Sequence, residues 1–234
     1  MKRRRFLTAC AAAAGASQVG ALGKTWAAAA PHAYQRSRLI DIHGEPVVAA
    51  KLAPRTNYVF NYPYAGTPCF LLDLGQSVNA AHGLLRADGS AYAWTGGVGP
   101  RRSIVAYSAI CAHKLAYPTR EVSFIRFQAD RSPTSDGNVI HCCADHSVYD
   151  PSAGARVISG PAPQPLAAIV LEYGPENDGL AAVATVGAEQ FDAFFRKYDF
   201  KLAMEYGQGH ASQPVGETTV VRELAQYCRQ TIRC

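Results

Sequence analysis

Cys111-Ala112-His113 and Cys143-Ala144-Asp145-His146 are two Cys-and-His pairs with 29 residues between His113 and Cys143. C-x-H and C-x-x-H spacings let two side chains of one tight loop reach a single metal centre, so two such loops supply two thiolates and two imidazoles. Four ligands of that mix fit a structural zinc ion. They fit equally a two-iron, two-sulfide cluster with thiolates on one iron and imidazoles on the other. Ligand type alone leaves both open.

Outward from these pairs the chain reads as short β-type runs separated by turn residues. The runs are Tyr58 to Tyr62, Cys69 to Leu74, Ile104 to Ser108, Val122 to Phe127, Val139 to His141, Ala167 to Tyr173 and Leu180 to Val186. No Gly-rich nucleotide loop follows a strand, and no G-x-S-x-G elbow supports acyl transfer. The pattern predicts a mainly β, antiparallel domain over 31–187. An extension over 188–234 follows, with helices from Glu189 to about Lys201 and from Thr218 to Arg233, where apolar residues recur at helical spacing. The stripe of Phe191, Phe194 and Phe195 is expected to pack on the β core.

The 234 residues carry 23 Lys plus Arg and 18 Asp plus Glu, but five of the basic residues lie in the first thirty, which hold no acid. The remainder has 18 of each sign, so no overall basic field supports nucleic-acid binding. Arg3-Arg4-Arg5, the uncharged stretch 6–23 and the Ala-rich end near Ala30 have the order of a twin-arginine export signal over 1–30. Two fates fit it: cleavage, or retention as an inner-membrane anchor through 6–23. Both predict a periplasmic protein, and that export route suits a chain that carries a cofactor.

The runs Val105-Ala106-Tyr107-Ser108-Ala109-Ile110-Cys111-Ala112-His113 and His141-Cys142-Cys143-Ala144-Asp145-His146-Ser147-Val148-Tyr149-Asp150 resemble the two ligand loops of the Rieske iron–sulfur proteins of respiratory complexes. Gly160-Pro161-Ala162-Pro163 resembles the proline loop that closes over the cluster in that family. The likeness covers about 103–170. It implies a Rieske-type antiparallel β-sandwich or barrel with a cluster-binding subdomain and a [2Fe–2S] cluster on Cys111, His113, Cys143 and His146. Ser147 and Tyr149 would then be the hydroxyl donors that tune the cluster.

The chain departs from the family pattern at three points. The disulfide that usually joins the two ligand loops is missing, its places holding Ala116 and Asp145, which predicts loops that are more mobile or supported differently. Tyr149 stands three residues after His146, where the family has four. Cys142 adjoins Cys143, and ligation by Cys142 restores the distance to the tyrosine; the C-x-x-H spacing favours Cys143 and leaves Cys142 open. Cys69 reads as a core thiol, pairing of Cys228 with Cys234 is open, and His32, His43, His82, His141 and His210 read as surface or ordinarily hydrogen-bonded residues.

The resemblance implies an electron-transfer subunit, not an enzyme on its own, that passes on one electron, with proton coupling through the ligand imidazoles. Its setting would be a quinol:cytochrome c reductase type of oxidoreductase, with cytochrome b or c as partners. The alternative is the small subunit of a periplasmic molybdenum enzyme such as arsenite oxidase, with a molybdopterin subunit as partner, which residues 97–107 resemble more. From another class, a zinc-stabilised periplasmic binding module fits the same ligands.

Overall fold

All six residues of the strand Pro68–Asp73 are buried, because its alternating side chains enter two different cores. Phe70 and Leu72 join one apolar cluster, while Cys69 and Leu71 join the other. The strand Ile104–Ser108 beside it behaves in the same way, with Val105 and Tyr107 on one side and Ile104 and Ala106 on the other. A run buried on both faces reads as continuously apolar, as these two do. The computed structural model describes residues 30–234, so the expected export signal or anchor at 1–30 lies, but for Ala30, outside the described residues.

These strands stand in the middle of an eight-stranded sheet. Its order is Thr218–Val220, His32–Ile40, Gly179–Val186, Ala168–Gly174, Ile104–Ser108, Pro68–Asp73, Tyr58–Asn61 and Arg222–Glu223. The two outer members belong to one continuous segment. Thr218–Val220 runs parallel to His32–Ile40, and two residues later Arg222–Glu223 pairs antiparallel with Tyr58–Asn61. The segment thereby ties both edges together, and the sheet curls into a nearly closed barrel that hides its edges. The barrel interior holds Leu39, Phe60, Tyr62, Leu71, Ala182 and Val221.

A smaller antiparallel sheet of Arg156–Ser159, Ser147–Asp150, Val139–Cys142 and Ile125–Gln128 lies against the outer face of the large one. The core between them holds Phe70, Trp94, Tyr107, Phe127, Ile140 and Tyr149, together with Cys111 and Cys142. This gives the mainly β class expected from the sequence.

The C-terminal part follows expectation only at its start. The helix Phe191–Tyr206 forms, but no second helix spans 218–233. That segment is two short strands, a single helical turn at Leu224–Tyr227 and the strand Gln230–Thr231. The Thr218-Thr219-Val220-Val221 run is β-branched throughout and favours extended backbone, and the open sheet edges supply its hydrogen-bond partners. Among the described residues no helix is long and apolar enough to cross a membrane.

Candidate metal centre

The first ligand loop leaves the strand Ile104–Ser108 and turns sharply at 111–116. Cys111 N–H donates to Ala116 O at 2.8 Å and Leu115 N–H to Cys111 O at 3.0 Å, closing the turn around His113. Cys111 is buried, whereas the His113 side chain is about one-third exposed, at 34%. The second loop links Val139–Cys142 to Ser147–Asp150, whose pairing sets Cys142 opposite Ser147. His146 N–H donates to Cys142 O at 2.8 Å, and His146 itself takes a left-handed φ of 60°. The proline loop leans on this turn. A Cβ on Gly160 would stand 2.4 Å from His146 O and 2.6 Å from Ser147 Cα, so only glycine fits there. Gln164, just beyond, accepts from Ala87 N–H at 2.9 Å and fixes the loop to a neighbouring hairpin.

Between the loops four donor groups converge: the thiols of Cys111 and Cys142, the imidazole of His113 and the carboxylate of Asp145. The ligand atoms of Cys111, Cys142 and Asp145 all lie within 4.8 Å of one another. Asp145 Oδ2 is 3.3 Å from Cys111 Sγ and 3.0 Å from His113 Nδ1. The Asp145 side chain is 3% exposed. Its Oδ1 accepts from Ser147 N–H at 3.0 Å. Burial pulls against ionisation of this carboxyl, but hydrogen bonds from Ser147 N–H and the two thiols outweigh it and hold the pKa below the ordinary carboxylate value.

The two thiols are unequal. A hydrogen bond from Cys142, opposed by burial and aided by the Tyr149 hydroxyl and the His113 and Lys114 amides, lowers the Cys111 thiol to about 7, while donation to Cys111 together with burial pushes Cys142 up. Tyr149 Oη accepts from Ala112 N–H at 3.1 Å and stands 3.4 Å from Cys111 Sγ, leaving the phenolic proton directed at the sulfur. The Ser147 hydroxyl is fully buried and has no hydrogen-bond partner.

Of the four ligands expected from the sequence, Cys111 and His113 meet in this centre and Cys143 and His146 do not. Cys143 Sγ is bonded to Sγ of Cys234, 91 residues away, so its sulfur is committed, and Cys228 stays a free buried thiol instead of pairing with Cys234. Neighbouring side chains along a strand point to opposite faces; here Cys142 takes the face toward Cys111 and Cys143 the face toward the C-terminus. His146 is exposed and turned away, its ring facing that of His141 with centroids 5.9 Å apart. His141, read from the sequence as a surface or ordinarily bonded residue, is fully buried with neither ring nitrogen paired, and burial together with His146 and Arg126 lowers its pKa. Cys69 is the expected core thiol, donating to Tyr62 O at 3.1 Å.

Asp145 is the residue of this grouping that the spacing argument did not consider, while Cys142 is the alternative it left open beside Cys143. The sequence signal that sets Asp145 apart is Tyr149, which stands four residues after it.

No protein-family model matches this chain. Among solved structures, the soluble domain of Rieske protein II from Sulfolobus acidocaldarius is similar to it, with 29% sequence identity over 65% of this chain and 78% of that one and a TM-score of 0.48.

Proposed function

We propose that this chain is a Rieske-type [2Fe–2S] electron-transfer protein. The observation that carries the reading is the meeting of two thiols, an imidazole and a carboxylate beside a buried hydroxyl without a partner, between one loop that leaves the large sheet and one that turns within the small sheet. Buried hydroxyls are rarely left unpaired, and a sulfide of a bound cluster would supply the acceptor that Ser147 Oγ lacks. Cys111 and Cys142 would hold one iron. His113 and the turn bearing Asp145 and His146 would serve the other. When bound, such a cluster supplies one-electron chemistry, at potentials that for centres with imidazole ligands span about −150 to +300 mV.

The chain's own groups have separable tasks in this reading. Cys111, with its lowered pKa, presents a thiolate near neutral pH. The Tyr149 phenol is placed to donate to that sulfur, and Ser147 would donate to a bound cluster; both would withdraw negative charge and raise its potential. His113 lies at the surface, where its outer ring edge is open to a redox partner and to proton exchange.

The finer parts of the proposal rest on the sequence: export by the twin-arginine route, a periplasmic or membrane-anchored location, and service to a quinol-oxidising cytochrome complex or, as residues 97–107 suggest, to a molybdenum oxidoreductase. Metal and acid-labile sulfide analysis of the purified full chain tests the central claim. Iron and sulfide in equal amounts, with a rhombic EPR signal on reduction, are expected; one zinc without sulfide would instead establish the zinc-stabilised module.

A further inference from the structure

We propose that Asp145, and not His146, is the fourth metal ligand, giving a centre of two thiolates, one imidazole and one carboxylate. The assignment rests on the reading of this site as a cluster site and sharpens it. Three observations carry it.

The first is position. Asp145 Oδ2 already touches both residues of the opposite ligand loop, 3.3 Å from Cys111 Sγ and 3.0 Å from His113 Nδ1, and its ligand atom shares the 4.8 Å neighbourhood of Cys111 and Cys142. His146 lies in a different grouping, with His141 and Cys234 on the disulfide side of the loop.

The second is constraint. The backbone turn is fixed by His146 N–H to Cys142 O at 2.8 Å and Ser147 N–H to Asp145 Oδ1 at 3.0 Å. Gly160 is pressed against His146 O and Ser147 Cα from outside. Swinging the exposed His146 ring into the centre would require expelling Asp145 and remaking the turn that the proline loop buttresses.

The third is charge. The Asp145 carboxylate is almost wholly buried next to two thiols, and among the described residues its ion-pair partner is the His113 imidazole, with neither Lys nor Arg paired to it. A buried anion in such company calls for a cation, and iron supplies one. The spacing agrees: Cys142 and Asp145 form a C-x-x-D pair, with Tyr149 four residues after Asp145. A carboxylate makes the centre more negative than a second imidazole would, so the midpoint potential falls below that of the same site with two imidazoles.

The experiment uses the full holo chain, reduced, with histidine labelled by 15N, and counts metal-bound imidazole nitrogens by pulsed EPR. One coordinated histidine is expected, and two would overturn the assignment. His146→Ala should keep the full metal content and the same nitrogen signal, while Asp145→Ala should lose the metal. Asp145→His should keep the metal, show two coordinated nitrogens and raise the midpoint potential, which separates loss of a ligand from loss of fold. Metal loss in His146→Ala with retention in Asp145→Ala would overturn the proposal. If the metal proves to be zinc without sulfide, the cluster reading fails, and the contrast in zinc content between these two Ala variants still decides whether Asp145 is the ligand.

Discussion

The two ligand loops are held by opposite means. The first is gripped without a covalent bond by the helix Phe191–Tyr206. Ile110, Leu115 and Tyr117 of the loop pack with Phe191, Phe194 and Leu202, and Tyr117 meets the Phe194 ring edge-on at 4.8 Å. Gln190 Nε2 donates to Ala112 O at 2.7 Å, between Cys111 and His113. The second loop is stapled by the Cys143–Cys234 disulfide, and the last residues of the chain are pinned beside it by the pairing of Gln230–Thr231 with Val122–Ser123 and by Arg126 Nε donating to Ile232 O at 3.2 Å. In the Rieske proteins whose ligand loops the sequence resembles, a disulfide clamp joins the loops to each other; here each is tied to a different end of one C-terminal extension. The support anticipated from the missing clamp is thus a packed helix on one side and a disulfide to the terminus on the other. The aromatic stripe packs on the first ligand loop more than on the sheets.

The sharpest way to break the comparison is within the second loop. Cys142→Ser should abolish the metal centre. Cys143→Ser should retain it, losing only the staple, and should match Cys234→Ser in losing about 4 kcal/mol of stability, the entropy of a closed loop on this scale. Metal analysis and non-reducing chemical denaturation separate the two effects, and loss of the metal in Cys143→Ser with retention in Cys142→Ser would reverse the roles of these neighbours.

The grip on the first loop is tested by Phe194→Ala. Removing a fully buried ring costs about 3–5 kcal/mol, and amide exchange should speed up around 110–117 while 141–147 stays protected. Equal loosening of both loops would show that the extension works as one unit.

The smallest effect belongs to the centre itself. Ser147→Ala removes the unpaired buried hydroxyl, and the midpoint potential measured by voltammetry should fall by something on the order of tens of millivolts. An unchanged potential would remove Ser147 from the surroundings of the proposed cluster.

Much of the β framework was legible because its central strands are buried on both faces, and continuous apolar runs such as Cys69 to Leu74 and Ile104 to Ser108 announce themselves. The strand His32–Ile40 was not, since its residues are mostly polar and exposed and it is recruited by pairing on both sides. Val122 to Phe127, read as one strand, is broken at Phe124 into Val122–Ser123 and Ile125–Gln128, which join different sheets. The segment from Thr218 looked helical by the spacing of its apolar residues and became strand because two sheet edges required a partner.

The sequence by itself determined that two short loops on a β scaffold would bring Cys and His donors together, because spacing limits which side chains one turn can present. It also narrowed the second loop's thiol to Cys142 or Cys143, since adjacent residues of a strand face opposite ways. Tertiary structure alone decided which faced inward. Cys234, 91 residues along the chain, captures Cys143, and a turn with His146 in the left-handed region directs Asp145 to the centre and His146 to solvent. No local pattern encodes that outcome, because the contacts that select it come from the far end of the chain and from a proline loop that tolerates only glycine at its point of closest approach.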